Sequence, residues 1–252
     1  MDDRPFTRLA DVYDAIMAEV EYDDWVDFVL REATRRGFRG GRLLDLGCGT
    51  GNATLPAHAR GFAVEGLDAS PTMIEVARRK LPDATFHVGD FRRFATGRRY
   101  ALAYSVFDAL NNLLSERDFL AMLARVRAHL LPGGTLAFDC NTRTGLRELW
   151  DGGEVEGWAG EVYYRWVHAY DEARELASVE AYCRTPEGAF TEVHYERPYD
   201  PPELRRMLGA AGFTDVEVLR YPDGLDADEA EPRVWVFARR PAGRLARWWH
   251  GT

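Results

Sequence analysis

Between residues 42 and 140, short apolar runs alternate with helical patterns, and this alternation limits the fold more than any other feature. Residues 42–46, 62–68, 84–89, 100–107 and 135–140 read as strands, the first of them apolar enough to be buried on both faces. Helices fit between them. One runs from about Asn52 to Arg60, and a second opens on Ser70-Pro71, a cap followed by proline at the first helical position. A third starts at Ser115, where Ser115-Glu116-Arg117-Asp118 has the capping-box spacing, and stops at Pro132-Gly133-Gly134. Crossovers repeated in this way imply a parallel sheet with helices on both faces.

The flanks add two layers. Leu9, Val12, Tyr13 and Ile16 are spaced by three and four, and a second helix, capped by Asp23 or Asp24, carries Trp25, Phe28 and Val29 on one face and ends at Gly37. After residue 143 the alternation breaks. Residues 161–170, 175–184 and 189–197 are β-rich and separated by turn residues, so three antiparallel strands are expected there. A helix from Pro201 to Gly212 and strands at 215–221 and 233–239 follow. The expected architecture is one α/β domain over 1–252, with a doubly wound, mostly parallel, seven-stranded Rossmann-like sheet. Its parts are a helical cap (1–38), a cofactor-binding half (39–143), an antiparallel β lid (144–200), a final helix and strands (201–240) and a tail (241–252). Ligands of such sheets bind beyond the carboxyl ends of the strands, so the lid should cover that edge.

Composition removes several classes. A net charge of −9 over 252 residues is a poor start for gripping nucleic acid, and no partner of that kind is expected. No apolar run reaches membrane-spanning length, and Met1-Asp2-Asp3-Arg4-Pro5 does not open a secretory signal, so a cytoplasmic protein is expected. The tail, with Arg244, Arg247, Trp248 and Trp249, is expected to dock on the body or a partner subunit or to stay disordered; membrane anchoring is the weaker alternative. Three scattered cysteines give neither a disulfide framework nor a zinc site, and no metal-ligand set stands out. Lys80 is the only lysine and sits at a helix end, which removes Schiff-base chemistry and a Walker loop.

Asp45-Leu46-Gly47-Cys48-Gly49-Thr50-Gly51 follows a strand and opens a helix. Glycines there permit positive φ and close approach of a ligand, and the helix start behind them favours a negative group. Asp68 ends the next strand, placed to accept from two ribose hydroxyls. A nucleoside ligand follows. The dinucleotide fingerprint G-x-G-x-x-G would place its third glycine at Asn52, so the spacing is wrong for it. Asp45 would repel a pyrophosphate and suits an ammonium.

These residues resemble the first motif of class I S-adenosylmethionine-dependent methyltransferases. The resemblance continues through Gly66-Leu67-Asp68-Ala69-Ser70-Pro71-Thr72-Met73, Gly89-Asp90-Phe91 and Leu130-Leu131-Pro132-Gly133-Gly134. It implies S-adenosyl-L-methionine as cofactor, with Gly47, Cys48, Gly49, Gly51 and Asn52 around its methionine part and Asp45 near its ammonium. Asp68 and Ala69 would take the ribose, and Met73, Gly89, Asp90 and Phe91 the adenine. Cys48, although inside the loop, reads better as a small apolar filler. Segments 12–14, 22–25, 105–111 and 138–142 are similar to a bacterial group of small methyltransferases, which adds Tyr13, Tyr22, Trp25 and Ser105 to the cofactor set. The same group has a Glu-x-His pattern, matched by Glu192-Val193-His194. His194 or Asp108 is then the candidate general base, and Asn111, Asn141 and Glu192 are candidate acceptor contacts. The expected reaction is methyl transfer to nitrogen or oxygen of a small molecule, with a homodimer as the assembly to look for. A silent cofactor-binding regulator, a methyltransferase acting on RNA or protein, and a nicotinamide oxidoreductase are the alternatives.

Overall fold

The computed structural model describes residues 6–243, so the aromatic and arginine residues of the tail lie outside the described residues. The main sheet holds β1 (Leu43–Leu46), β2 (Val64–Asp68), β3 (Thr85–Val88), β4 (Tyr100–Ser105), β5 (Leu130–Asn141), β10 (Thr214–Leu219) and β11 (Arg233–Arg239). Their order is β10-β11-β5-β4-β1-β2-β3, with only β11 running against the rest. The order reverses beside β1, between β2 and β4. That is the switch point where ligands of such sheets bind.

Helices cover both faces because the central strands β1 and β4 and the carboxyl half of β5 are buried on both. On one side α5 (Glu116–His129) and α7 (Pro201–Ala210) set Phe119, Met122, Leu204 and Leu208 against Leu44, Phe138 and Val236. On the other, α2 (Tyr22–Arg35) and α3 (Thr54–Ala59) set Phe28, Val29 and Ala57 against Leu43, Leu102 and Phe237. The helix α4 (Pro71–Lys80) flanks β2 and β3, and its cap is the one the sequence spells: Met73 N donates to Ser70 Oγ at 3.3 Å. Ser115 caps α5 in the same way, accepting from Asp118 N at 3.2 Å. No helix among the described residues is long and apolar enough to cross a membrane.

Three local expectations change. The first helix, α1, is only Ala10–Ile16. Neither Asp23 nor Asp24 caps α2, which starts at Tyr22; Asp23 instead accepts from Arg60 at 2.9 Å. The second sheet has four strands, not three: β6 (Glu154–Ala159), β7 (Val162–Asp171), β8 (Leu176–Thr185) and β9 (Gly188–Glu196), in that order and all antiparallel. The unexpected β6 is an exposed edge broken in pattern by Gly157, whose missing side chain leaves room for the ring of Tyr164 opposite. Between the sheets lie α6 (Arg143–Gly145) and a π-helical stretch over Leu146–Trp150.

Candidate functional site

The loop after β1 is shaped by backbone demands. Gly47 and Cys48 both donate N–H to Leu67 O, at 2.8 and 3.1 Å, which folds the chain back over β2. Gly47 has φ +72°, and a Cβ there would lie 2.7 Å from that of Ala109. Gly49 has φ +52° with nothing within 4 Å of a would-be Cβ, so open space faces it. Only glycine serves both positions without strain. Asp68 locks the loop to the next strand by accepting from Gly49 N at 2.9 Å and Ser70 N at 2.8 Å. Its oxygens are therefore not free, but a carboxylate has about four acceptor positions, and these donors do not use them all.

From this loop a cavity of ≈ 310 Å³ runs to the second sheet. Gly47, Cys48, Gly49, Asn52, Asp68, Ala69, Met73 and Phe91 line its loop end. Tyr13 and Tyr22 close it from the cap, their hydroxyls hydrogen-bonded to each other and both pushed up by burial, Tyr22 to about 12. Asp108, in a left-handed conformation after β4, lies at the middle. Trp150, Trp166, His168, His194 and Glu196 form the far wall.

Several candidates stand outside the lining. Asp45 is buried behind the loop, accepts from Thr54 Oγ1 at 2.6 Å and is pushed up to about 7 by burial. Gly51 turns the chain into α3 with its α-carbon facing Ala77 and Phe86, not the cavity. Ser105 Oγ donates to Leu46 O at 2.7 Å, tying β4 to β1. Asp90, next to Gly89, is clamped by Arg92 and held below the usual carboxylate range by it; neither residue lines the cavity. Trp25 packs between Phe107 and Trp235, in the aromatic layer behind the wall.

The three acceptor candidates also stand outside the lining. Asn111 and Asn141 are buried latches for the chain leaving β9: Asn111 Nδ2 donates to Asn141 O at 2.9 Å and Arg197 O at 2.8 Å. Asn141 N returns a bond to Asn111 Oδ1 at 3.0 Å. Glu192 shares a strand face with His194, but its carboxylate accepts from the backbone of Phe6, Arg8 and Leu9 and so pins the N-terminal segment. The two candidate bases do line the cavity, with altered character. Burial pushes the His194 imidazole down to about 4; neither ring nitrogen is hydrogen-bonded, Glu192 Oε2 lies 3.7 Å from Nε2, and Phe6 stacks on the ring at 4.1 Å. Asp108 is ion-paired with Arg233 and accepts from Asn141 Nδ2 at 2.9 Å.

Glu196, Trp166, His168 and Trp150 are lining residues that the sequence reading misses. Glu196 was within reach of it. It lies two positions beyond His194, so it shares its strand face.

Comparison with known proteins agrees with this layout. Residues 43–134 match the family model described as a methyltransferase domain. The fold is shared with an S-adenosylmethionine-dependent methyltransferase from Clostridium acetobutylicum, at a TM-score of 0.79 and 23% identity over 94% of this chain and 100% of that one. It is shared also with DesVI of Streptomyces venezuelae, at a TM-score of 0.75 and 25% identity over 92% and 98%. In sequence, a dTDP-3-amino-3,6-dideoxy-α-D-glucopyranose N,N-dimethyltransferase of Streptomyces fradiae is 37% identical over 42% of this chain and 41% of its own. The stretch that the family model matches, residues 43–134, holds the glycine loop, Asp68 and the capped α4, which are the parts that build the loop end of the cavity. The chain carries a methyltransferase domain over residues 43–134 and shares its overall fold with S-adenosylmethionine-dependent methyltransferases.

Proposed function

We propose that this enzyme methylates the nitrogen of a small molecule that enters between the main sheet and the second sheet. In this reading residues 39–143 hold the cofactor and residues 144–200 cover the acceptor. One observation carries it: a single cavity joins Gly49 and Asp68 to His194 and Glu196. The loop end suits the cofactor. Gly49 faces open space, Asp68 keeps lone pairs for hydroxyls, and Met73 and Phe91 offer an apolar wall for a base. Bound there, S-adenosylmethionine supplies a methyl group already activated by its sulfonium. The chain then has mainly to align the acceptor, and holding two reactants at attack distance contributes on the order of 7–11 kcal/mol.

The far wall favours nitrogen over oxygen. A hydroxyl needs a base to become a nucleophile, whereas a neutral amine attacks first and loses its proton afterwards. His194, at about 4, is a weak proton acceptor near neutral pH, and Asp108 is engaged by Arg233. His194 instead presents one donor and one acceptor nitrogen to a bound molecule. Relatives named as N,N-dimethyltransferases of amino sugars point the same way. The test is a screen for S-adenosylhomocysteine release with primary and secondary amines, alcohols and carboxylates. Release with amines is expected; release with alcohols or carboxylates alone would overturn the nitrogen assignment.

A further inference from the structure

Four charged groups meet behind the middle of the cavity: Asp108 after β4, Asp139 on β5, Glu196 at the end of β9 and Arg233 at the start of β11. One guanidinium faces three carboxyls and pairs with two of them. Arg233 bonds Asp139 at 2.7 Å and also Asp108, and Asp108 N donates to Asp139 as well. Glu196 forms no ion pair among the described residues; its one hydrogen bond is from Asn141 Nδ2, at 3.3 Å. It is also the carboxyl of the two unlike Asp139 that lines the cavity without a cationic partner, and it is 6% exposed. Burial first, and then the neighbouring Asp108, push it well above the ordinary glutamate value, against the pull of Asn141 and Arg233.

A second, independent feature marks the same wall. His194, also 6% exposed, lines the cavity with neither nitrogen hydrogen-bonded, the nearest carboxylate oxygen, Glu192 Oε2, standing 3.7 Å from Nε2, and Trp166 Nε1 on the same wall has no hydrogen-bond partner either. Buried polar atoms are normally satisfied, and those that are not are waiting for something the fold does not supply. Around them stand the rings of Phe6, Tyr13, Tyr22, Phe107, Trp150 and Trp166. Among the described residues no lysine or arginine lines the cavity.

Resting on the methyl-transfer reading, we infer that Glu196 is the counter-charge for an amine acceptor that enters as the ammonium, that its carboxylate takes one N–H proton so that the freed lone pair can attack the methyl group, and that the cavity rejects acceptors carrying phosphate or carboxylate groups inside it. An unpaired carboxyl in a low-dielectric wall is costly until a cation meets it, and aromatic faces add to the attraction for an ammonium. His194 and Trp166 then take the acceptor's neutral polar groups. An anion would meet Glu196 with no guanidinium or ammonium to offset it. This separates the chain from relatives whose names specify dTDP-linked sugars, since a diphosphate would have to remain outside the cavity.

The test measures binding, not turnover. With S-adenosylhomocysteine saturating, the dissociation constants of 2-phenylethylamine, 2-phenylethanol and phenylacetate are compared near pH 7, in the unaltered protein and in Glu196→Gln. The three probes share a ring and differ in charge. The amine should bind at least about tenfold more tightly than the alcohol, with phenylacetate weakest. Glu196→Gln should remove most of the amine's advantage while S-adenosylhomocysteine affinity stays within a few-fold. Equal binding of all three, preference for phenylacetate, no binding of the amine, or an amine preference retained by the variant would each overturn the inference. Failure of the methyl-transfer reading appears separately, as loss of S-adenosylhomocysteine release across the acceptor screen.

Discussion

Around Gly49 the cavity wall is backbone whose N–H groups are already bonded to Leu67 and Asp68, whereas around His194 it is side chains whose polar atoms have no hydrogen-bond partner. The loop end is set by φ angles and close approach, and it needs few side chains. The far end is set by volume, charge and unpaired donors. A wall made of backbone can recognise only what the fold is built around, here a nucleoside with a charged methionine arm. A wall made of side chains can change its acceptor by substitution without disturbing the loop. The two ends should therefore respond to mutation in separate ways.

The strongest way to break that separation is at Arg233, the one guanidinium shared by Asp108 and Asp139 on the seam between the ends. Arg233→Met leaves the buried carboxyls of Asp108 and Asp139 without their cation. Removing one partner of a buried ion pair costs about 3–5 kcal/mol, so urea unfolding should show a loss of that order. Adding Asp139→Asn should restore part of it. A loss below about 1 kcal/mol would mean that the carboxyls sit protonated and need no cation.

A smaller effect, confined to the loop end, is expected from Asp68→Ala. It removes the acceptor for Gly49 N and Ser70 N as well as the ribose acceptors. Hydrogen bonds to a charged acceptor contribute about 1.5–3 kcal/mol, so S-adenosylhomocysteine affinity should fall roughly tenfold or more by calorimetry. Binding of an acceptor probe to the far wall should change much less. Unchanged cofactor affinity would show that another group holds the ribose.

The same contrast explains what can be read from sequence. Gly47, Gly49, Asp68 and the Ser70-Pro71 cap are legible because each requirement is local: a positive φ, a strand end, a capping hydroxyl three residues from its N–H. Glu192, Asn111 and Asn141 are less legible because their partners are distant. The Glu192 carboxylate is taken by Phe6, 186 positions away, and Asn111 by Arg197, 86 positions away. A polar residue at the right strand end reads as a ligand contact until the chain that returns to satisfy it is known. Glu196 and β6 fail for the opposite reason. Nothing local distinguishes a buried carboxyl from a solvated one on an alternating strand, and a short exposed edge strand with a glycine reads as loop.

The smallest predicted effect sharpens the comparison through pH, because one titrating group at each end is shifted by burial in opposite directions. Asp45, behind the loop, moves from 3.8 to about 7; its native state prefers the proton, so its contribution is full at low pH and lost as pH rises from about 4 to 7. His194, on the far wall, moves from 6.5 to about 4; its native state prefers the neutral ring, so its contribution is full above 6.5 and lost as pH falls towards 4. Between about pH 4 and 6.5 the two slopes oppose each other and largely cancel in the cofactor-free protein. Each substitution should expose the other. Relative to the unaltered chain, Asp45→Asn should make stability rise more steeply with pH across that window, and His194→Phe should make it fall. Each change in slope approaches at most about 1.4 kcal/mol per pH unit. The remaining carboxylates are common to all three proteins, so only the differences in slope of the urea free energy are compared. Parallel pH profiles in the three proteins would show that neither burial shift is present, and that the two ends do not differ in how they hold a proton.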